Sequence, residues 1–139
     1  MSGIRRYGVG DRDQVVALWQ ACELVVPWNV PEEDIATKVA FQPDLFFVAE
    51  RDGRIVGSVM AGYEGHRGQI NYLAVLPDLR GSGLGRQLMD HAEAVLREIG
   101  APKINLQVRR ANREVIAFYE ALGYRVDDTV NLGKRLDGR

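Results

Sequence analysis

Between residues 80 and 86 the chain reads Arg80-Gly81-Ser82-Gly83-Leu84-Gly85-Arg86. Three alternate glycines let a backbone approach a ligand closely, because no Cβ stands in the way. A helix starting there would offer unpaired N–H groups and a positive dipole end, which together bind phosphate. Arg80 and Arg86 bracket the segment with charge. The chemistry on offer is recognition of a phosphorylated ligand; a glycine-rich turn without a ligand is the plain alternative. A P-loop needs a Lys followed by Ser or Thr after its last glycine, and that pair is missing here. A dinucleotide fingerprint needs Gly-x-Gly-x-x-Gly and a later acid. The spacing here is Gly-x-Gly-x-Gly, and the strand expected at residues 103–109 carries no acid.

Other reactive side chains are few. Cys22 is the single cysteine and cannot close an internal disulfide, which fits a reducing compartment. It falls at helical spacing and reads as packing. His66 and His91 are the two histidines. No metal-ligand spacing results, so no metal is expected. His91 lies inside an apolar-periodic helix and reads as structural.

The elements that must position these residues follow from periodicity and turn chemistry. Residues 4–7 read as a first strand. Asp11 is placed as a helix N-cap, with Gln14 completing a capping box. Val15, Leu18, Trp19 and Cys22 follow at helical spacing. Pro27 and Pro31 bracket a loop holding Trp28-Asn29-Val30. Pro31 suits the first turn of a second helix, with Glu32, Glu33 and Asp34 at its positive end and Ile35 and Val39 facing inward. Residues 45–50 and 54–63 read as strands joined at Asp52-Gly53, and residues 69–76 continue the meander. A long amphipathic helix begins near Gly83, with Leu84, Leu88, Ala92, Val95, Leu96 and Ile99 on one face. Gly100 and Pro102 end it. Residues 104–108 alternate as a strand. Asn112 caps a helix carrying Val115, Phe118, Tyr119 and Leu122, with Phe118 read as a core aromatic. Residues 124–126 and 129–136 predict a last hairpin. The order β-α-α-β-β-β-α-β-α-β-β predicts an α+β protein with three layers, α/β/α, around a mixed sheet.

Length and composition narrow the class. The 139 residues suit one domain spanning 1–139. Hydrophobic residues make up 46% and charged residues 27%, a balance that excludes a disordered tail or a disulfide scaffold. The formal net charge of -1 argues against a nucleic-acid partner held by bulk charge. That charge is a sum over unlike halves: residues 1–69 carry -3 and residues 70–139 carry +2. No apolar run nears the ~20 residues that span a bilayer, and the start lacks a signal-peptide core. A cytoplasmic protein without a membrane partner is expected.

Arg80-x-x-Gly83-x-Gly85 resembles the pyrophosphate loop of the GNAT superfamily of N-acetyltransferases. The run Asn112-Arg113-Glu114-Val115-Ile116-Ala117-Phe118-Tyr119-Glu120-Ala121-Leu122-Gly123-Tyr124 resembles the same superfamily's second signature. That signature is an Asn, an Ala, a Tyr two residues past the Ala, and a Gly followed by an aromatic. One helix and one strand separate the two blocks, and the strand upstream ends Leu73-Ala74-Val75-Leu76-Pro77. The resemblance covers nearly the whole chain and is most specific over residues 69–124. The whole sequence is similar to a branch of small bacterial acetyltransferases through Pro27-Trp28-Asn29, residues 62–68 and residues 132–136. Its second half is similar to ribosomal-protein N-terminal acetyltransferases.

The resemblance implies a GNAT-like fold with a mostly antiparallel sheet, and transfer of an acetyl group from acetyl-CoA to a primary amine by direct attack. It places the pyrophosphate on the backbone of Gly81, Ser82, Gly83, Leu84, Gly85 and Arg86, with Arg80 and Arg86 adding charge. It lays the pantetheine arm along Leu73, Ala74 and Val75 like an added strand. Asn112 bonds the other side of the arm, or only caps its helix. A backbone N–H near Leu73 or Ala74 stabilises the carbonyl oxygen, a donor typically worth on the order of 3–4 kcal/mol. Tyr119 contacts the cofactor and protonates the leaving thiolate; a thiol titrates near ~8.5 and a phenol near ~10. Packing is its alternative role.

The amine must lose a proton. Glu64, acting through water, and His66 sit at the expected mouth of the acceptor site, and an imidazole titrates near neutral pH. A solvated hairpin turn explains both equally. Trp28 and Asn29, followed by Glu32, Glu33 and Asp34, suit a cationic amine. A loop tryptophan closing the core, next to helix-end acids, is the alternative. Many relatives dimerise, so a homodimer is the implied oligomer. A non-catalytic acyl-CoA-binding module of the same fold and a nucleotide-binding protein are the competing functions.

Overall fold

Asp52 and Gly53 both have positive φ, 52° and 78°, the geometry a two-residue hairpin turn requires. Strand β2 (Phe46–Arg51) therefore folds straight back as β3 (Arg54–Tyr63). The computed structural model describes residues 3–138, which divide into two compact units after Leu106.

In the first unit, β1 (Gly3–Arg6), β2, β3, β4 (Gly68–Val75) and β5 (Ile104–Leu106) form one sheet in that order. The first four strands are antiparallel, and β4–β5 is parallel. Helices α1 (Arg12–Ala21) and α2 (Pro31–Phe41) cover one face and α3 (Leu84–Glu98) covers the other. Consecutive residues of β3 show this directly. Ser58 receives the Trp19 indole N–H of α1 at 2.9 Å. A Cβ on Gly57 would stand 2.9 Å from Leu88 of α3. With helices on both faces, residues 55–61 of β3 are all buried, as strands in the middle of a three-layer protein must be. Val15, Leu18 and Trp19 fill one side of the core; Leu84, Leu88, Met89, Ala92 and Leu96 fill the other.

Several local expectations are corrected. Asp11 stands at the N-cap of α1, but its side chain makes no cap bond. Its carboxylate instead takes the Gly8 N–H and both terminal nitrogens of Arg5. Gln14 accepts from the Ile55 N–H of β3 rather than closing a capping box. On α2, Lys38 is buried in place of Val39, which is 41% exposed. The Lys38 ammonium reaches the Ala61 carbonyl near the end of β3, so Lys38 and not Val39 lies on the inward face of the helix. Ile99 is the C-cap of α3 and nearly half exposed. Strand β5 stops at Leu106 rather than continuing to residue 108.

In the second unit, α4 (Arg113–Ala121) is the one helix among the described residues. Asn112 caps it by accepting the Val115 N–H, and Gly123 ends it in the left-handed region. Tyr119 is its buried aromatic, whereas Phe118 is only half buried. The expected last hairpin is absent: no strand follows Ala121 among the described residues. Val126, Val130, Leu132 and Leu136 are 74–91% exposed. A two-stranded hairpin alone is marginal in water, and Asp127-Asp128 is not one of the turn pairs that would nucleate it.

Candidate active site

The glycine-rich loop follows β4 through a short turn at Pro77–Leu79. Gly81 has φ 80° and Gly83 has φ 88°, while a Cβ at either would meet nothing within 4 Å. Conformation, not space, calls for glycine there. Gly83 is the N-cap of α3, the first turn holds no acid, and Leu84 anchors the helix start in the core. The loop thus leads into a helix N-terminus, whose first N–H groups have no carbonyl to meet within the helix, beside the exposed side chains of Arg80 and Arg86.

Just upstream, β4 carries a bulge. Met60 pairs with Asn71 and Ser58 pairs with Ala74, so Tyr72 and Leu73 together oppose Val59. A bulge leaves one residue out of the ladder and bends the strand. Tyr72 sits there with φ 51°, costly for an aromatic side chain. Its ring stacks on Trp19 with centroids 3.7 Å apart and planes 9° apart. Its carbonyl accepts from the Ser58 hydroxyl at 2.8 Å, and its own hydroxyl donates to Asp34 Oδ2 at 2.6 Å. Burial, together with the Asp34 carboxylate, pushes the Tyr72 phenol well above its ordinary range. The Cys22 thiol donates to the Val75 carbonyl at 3.2 Å, so the cysteine packs against this strand.

The other edge of β4 is open. Strand β5 pairs only with residues 68–70 of β4. Among the described residues no strand continues that ladder past Ile70. Leu73, Ala74 and Val75 lie in this stretch, with Ala74 buried and its neighbours half buried.

The acceptor-side candidates divide. Glu64 Oε1 accepts the N–H groups of His66 and Arg67, and Gly65 at φ 102° completes the turn. Glu64 and His66 are both exposed there. Trp28 is 46% exposed and does not close the core; Asn29 follows it in a turn. Of the three acids at the start of α2, Glu32 and Glu33 face solvent and Asp34 turns inward to Tyr72. His91 is half buried edge-on to Phe47 at 4.5 Å, and burial lowers its pKa. Among the described residues no three His, Cys, Asp or Glu side chains gather into a metal site.

In the second unit, Tyr119 packs edge-on to Phe118 at 5.1 Å and to Tyr124 at 5.5 Å. Burial pushes its phenol up to about 12, so it is protonated at neutral pH. The Asn112 side chain acts there as a helix cap.

Sequence reasoning missed Ser58, Tyr72 and the inward turn of Asp34. One signal was available: Ser58 is a lone hydroxyl inside an apolar strand and must find a partner. Trp19, placed in the core from its spacing, likewise needed an acceptor for its indole N–H.

Comparison with known proteins gives the family and the fold. Residues 13–124 match the acetyltransferase (GNAT) family. The chain is 50% identical over 133 residues to an acetyltransferase of Yersinia enterocolitica, covering 96% of this chain and 94% of that one. A ribosomal-protein alanine N-acetyltransferase from Escherichia coli shares the fold with a TM-score of 0.73 at 25% identity, covering 88% of this chain and 77% of that one. The PaiA N-acetyltransferase from Thermoplasma acidophilum, solved in complex with coenzyme A, superposes with a TM-score of 0.75 at 20% identity, over 94% and 93% of the two chains. The family match spans the bulged strand, the glycine loop and α4 together, and near-full-length identity accompanies it: this chain belongs to the acetyltransferase (GNAT) family.

Proposed function

We propose that the protein transfers the acetyl group of acetyl-CoA to a primary amine by direct attack. The observation that carries this reading is the sequence of features along one stretch of chain. A strand with an open edge and a bulge leads within a few residues into a glycine-rich helix N-terminus.

Each feature meets a requirement of the reaction. The N–H groups of residues 81–86 and the charges of Arg80 and Arg86 hold the pyrophosphate. Leu73, Ala74 and Val75 bond the pantetheine arm along the open edge of β4, as an added strand would. Asn112 contributes from its helix cap. An N–H released from the ladder at the bulge faces the carbonyl oxygen as negative charge develops on it.

In the transfer, the nitrogen–carbon bond forms, the carbon–sulfur bond breaks, and one proton passes in net from nitrogen to sulfur. Tyr119 is the proposed donor to sulfur. With its phenol at about 12 and a thiol near ~8.5, complete transfer alone is uphill by about 5 kcal/mol. Tyr119 therefore donates a hydrogen bond as the thiolate forms, and its proton moves only as another leaves the nitrogen. Glu64 and His66 are the pair to test as first acceptor of that proton. Glu64 Oε1 is engaged by its own turn, which favours His66. Trp28 and Asn29 contribute to the acceptor side.

Thiol release from acetyl-CoA, screened against amines, peptides and polyamines, tests the reading. Release with at least one amine, and CoA binding without it, is the expected result. Absence of CoA binding would overturn it. Binding without release over the whole panel would mark a non-catalytic acyl-CoA module.

A further inference from the structure

We infer that Tyr72 and Asp34 are positioning residues for the transfer: they clamp the β4 bulge and so fix the backbone N–H groups that meet the acetyl carbonyl. The inference rests on the cofactor placement proposed above and adds side chains to what is there a purely main-chain device.

Tyr72 needs a clamp. An L-residue in the left-handed region costs about 1–2 kcal/mol, and such strain persists only where the surroundings over-determine it. Here three contacts do so. The ring lies flat on Trp19, 3.7 Å between centroids. The main-chain carbonyl is held at 2.8 Å by Ser58, whose hydroxyl is itself oriented by the Trp19 indole at 2.9 Å. The phenol is held at 2.6 Å by Asp34. Together the contacts tie the bulge to β3, α1 and α2, three elements of the same unit.

The Asp34 contact is the one that reaches α2. Trp19 and Ser58 are completely buried between α1 and β3. Asp34 is half buried, and among the described residues its carboxylate accepts from Tyr72 alone. Its neighbours Glu32 and Glu33 face solvent. A carboxylate turned inward to hold one phenol, on the residue that makes the bulge, sets how far the strand can relax. Tyr72 and Leu73 stand opposite the single residue Val59, so rotation at Tyr72 swings the Leu73 N–H directly.

The test uses the full-length protein with acetyl-CoA and CoA as probes and the backbone amide resonances as readout. In the unsubstituted protein, acetyl-CoA should shift the Leu73 or Ala74 amide relative to CoA, because the two ligands differ only at the acetyl group. Both should shift Gly81, Gly83 and Gly85 alike. Tyr72→Phe keeps the ring stack and removes the hydroxyl; Asp34→Ala removes its acceptor. Each should reduce the acetyl-dependent shift at least twofold while leaving the glycine shifts intact, and the double variant should do no more than either single one.

An undiminished acetyl-dependent shift in both single variants overturns the inference. So does a double variant whose loss is the sum of the singles, since the two groups would then act separately. If the unsubstituted protein binds acetyl-CoA with no distinct shift at Leu73 or Ala74, the cofactor placement itself fails. Should Tyr72→Phe not fold, Asp34→Ala, on the α2 side of the contact, carries the test alone.

Discussion

Replacing Gly83 with Ala separates the conformational reason for a glycine from the steric one. Gly83 caps α3 at φ 88° and ψ 0°, and an added Cβ would meet no atom within 4 Å. Space is available, so the whole penalty comes from backbone handedness, about 1–2 kcal/mol for an L-residue. The protein can meet that penalty in two ways. If the loop keeps its shape, folding stability falls by the full amount and CoA binds normally. If the loop relaxes, stability is kept, but binding must restore the left-handed turn before the first N–H groups of α3 converge on the pyrophosphate. The same 1–2 kcal/mol then becomes a 5- to 30-fold rise in Kd, at 1.4 kcal/mol per tenfold. The two losses should therefore add to about 1–2 kcal/mol whichever way it divides. Urea unfolding and calorimetric titration with CoA, on one preparation, measure both. Gly83→Asn is the control, because Asn tolerates the left-handed region, and its combined loss should be less than half that of Ala. If Gly83→Ala changes neither quantity, or if Asn is worse than Ala, backbone handedness is not what calls for glycine at this position.

Three further outcomes follow from the geometry. Tyr119→Phe should lower kcat on the order of 10²-fold or more with CoA affinity within twofold, as removal of a proton-transfer group does; an unchanged kcat in the thiol-release assay removes Tyr119 from the mechanism. Lys38 is depressed to about 8 by burial. Its folded form binds fewer protons than the unfolded chain between pH 8 and 10.5, so stability should rise across that window, by at most about 3 kcal/mol. Lys38→Met should flatten that rise in urea unfolding curves, and an unchanged slope contradicts the burial argument. Gly57→Ala should cost about 1–3 kcal/mol by overpacking, because its Cβ would stand 2.9 Å from Leu88 and 3.1 Å from the Ala74 carbonyl; an unshifted melting temperature would mean that α3 moves away from the sheet freely.

The elements up to α4 were legible because their signals are local. Asp52-Gly53 carries its own turn geometry, Pro31 its own helix start, and the stripe from Leu84 to Leu96 its own buried face. What failed were local readings of side chains that have distant partners. Asp11 and Gln14 have the spacing of a capping box, but Arg5 of β1 claims the first and the Ile55 N–H of β3 the second. Val39 is the apolar choice beside Lys38, yet the carbonyl of Ala61 turns Lys38 inward. The last hairpin failed differently. Alternation in residues 129–136 reports what a strand would look like, but a strand needs a partner ladder and a face to cover.

The site divides along the same line. The phosphate loop was legible because glycine at a left-handed position is a statement about one residue's own backbone. The bulge was not, because a bulge is a difference in count between two strands. Up to Asn71 the pattern of β4 alternates, with Ile70 buried and Gln69 and Asn71 exposed. From Tyr72 on, the residues are apolar without a break, so an inserted residue leaves no polar marker of the change in parity. The one mark is on the partner strand. Ser58 stands in the apolar run from Ile55 to Ala61, and its hydroxyl holds the carbonyl of the residue at the bulge. A buried hydroxyl in a central strand needs a hydrogen-bond partner, and here its proton goes to that carbonyl. Ser58 on β3 is thus tied to the irregularity in β4. Ser58→Ala should then free the Tyr72 carbonyl and speed amide exchange at Leu73 and Ala74 at least tenfold, while β2 amides such as Val48 keep their rates. Equal acceleration in both strands would mean that Ser58 stabilises the sheet at large and says nothing about the bulge.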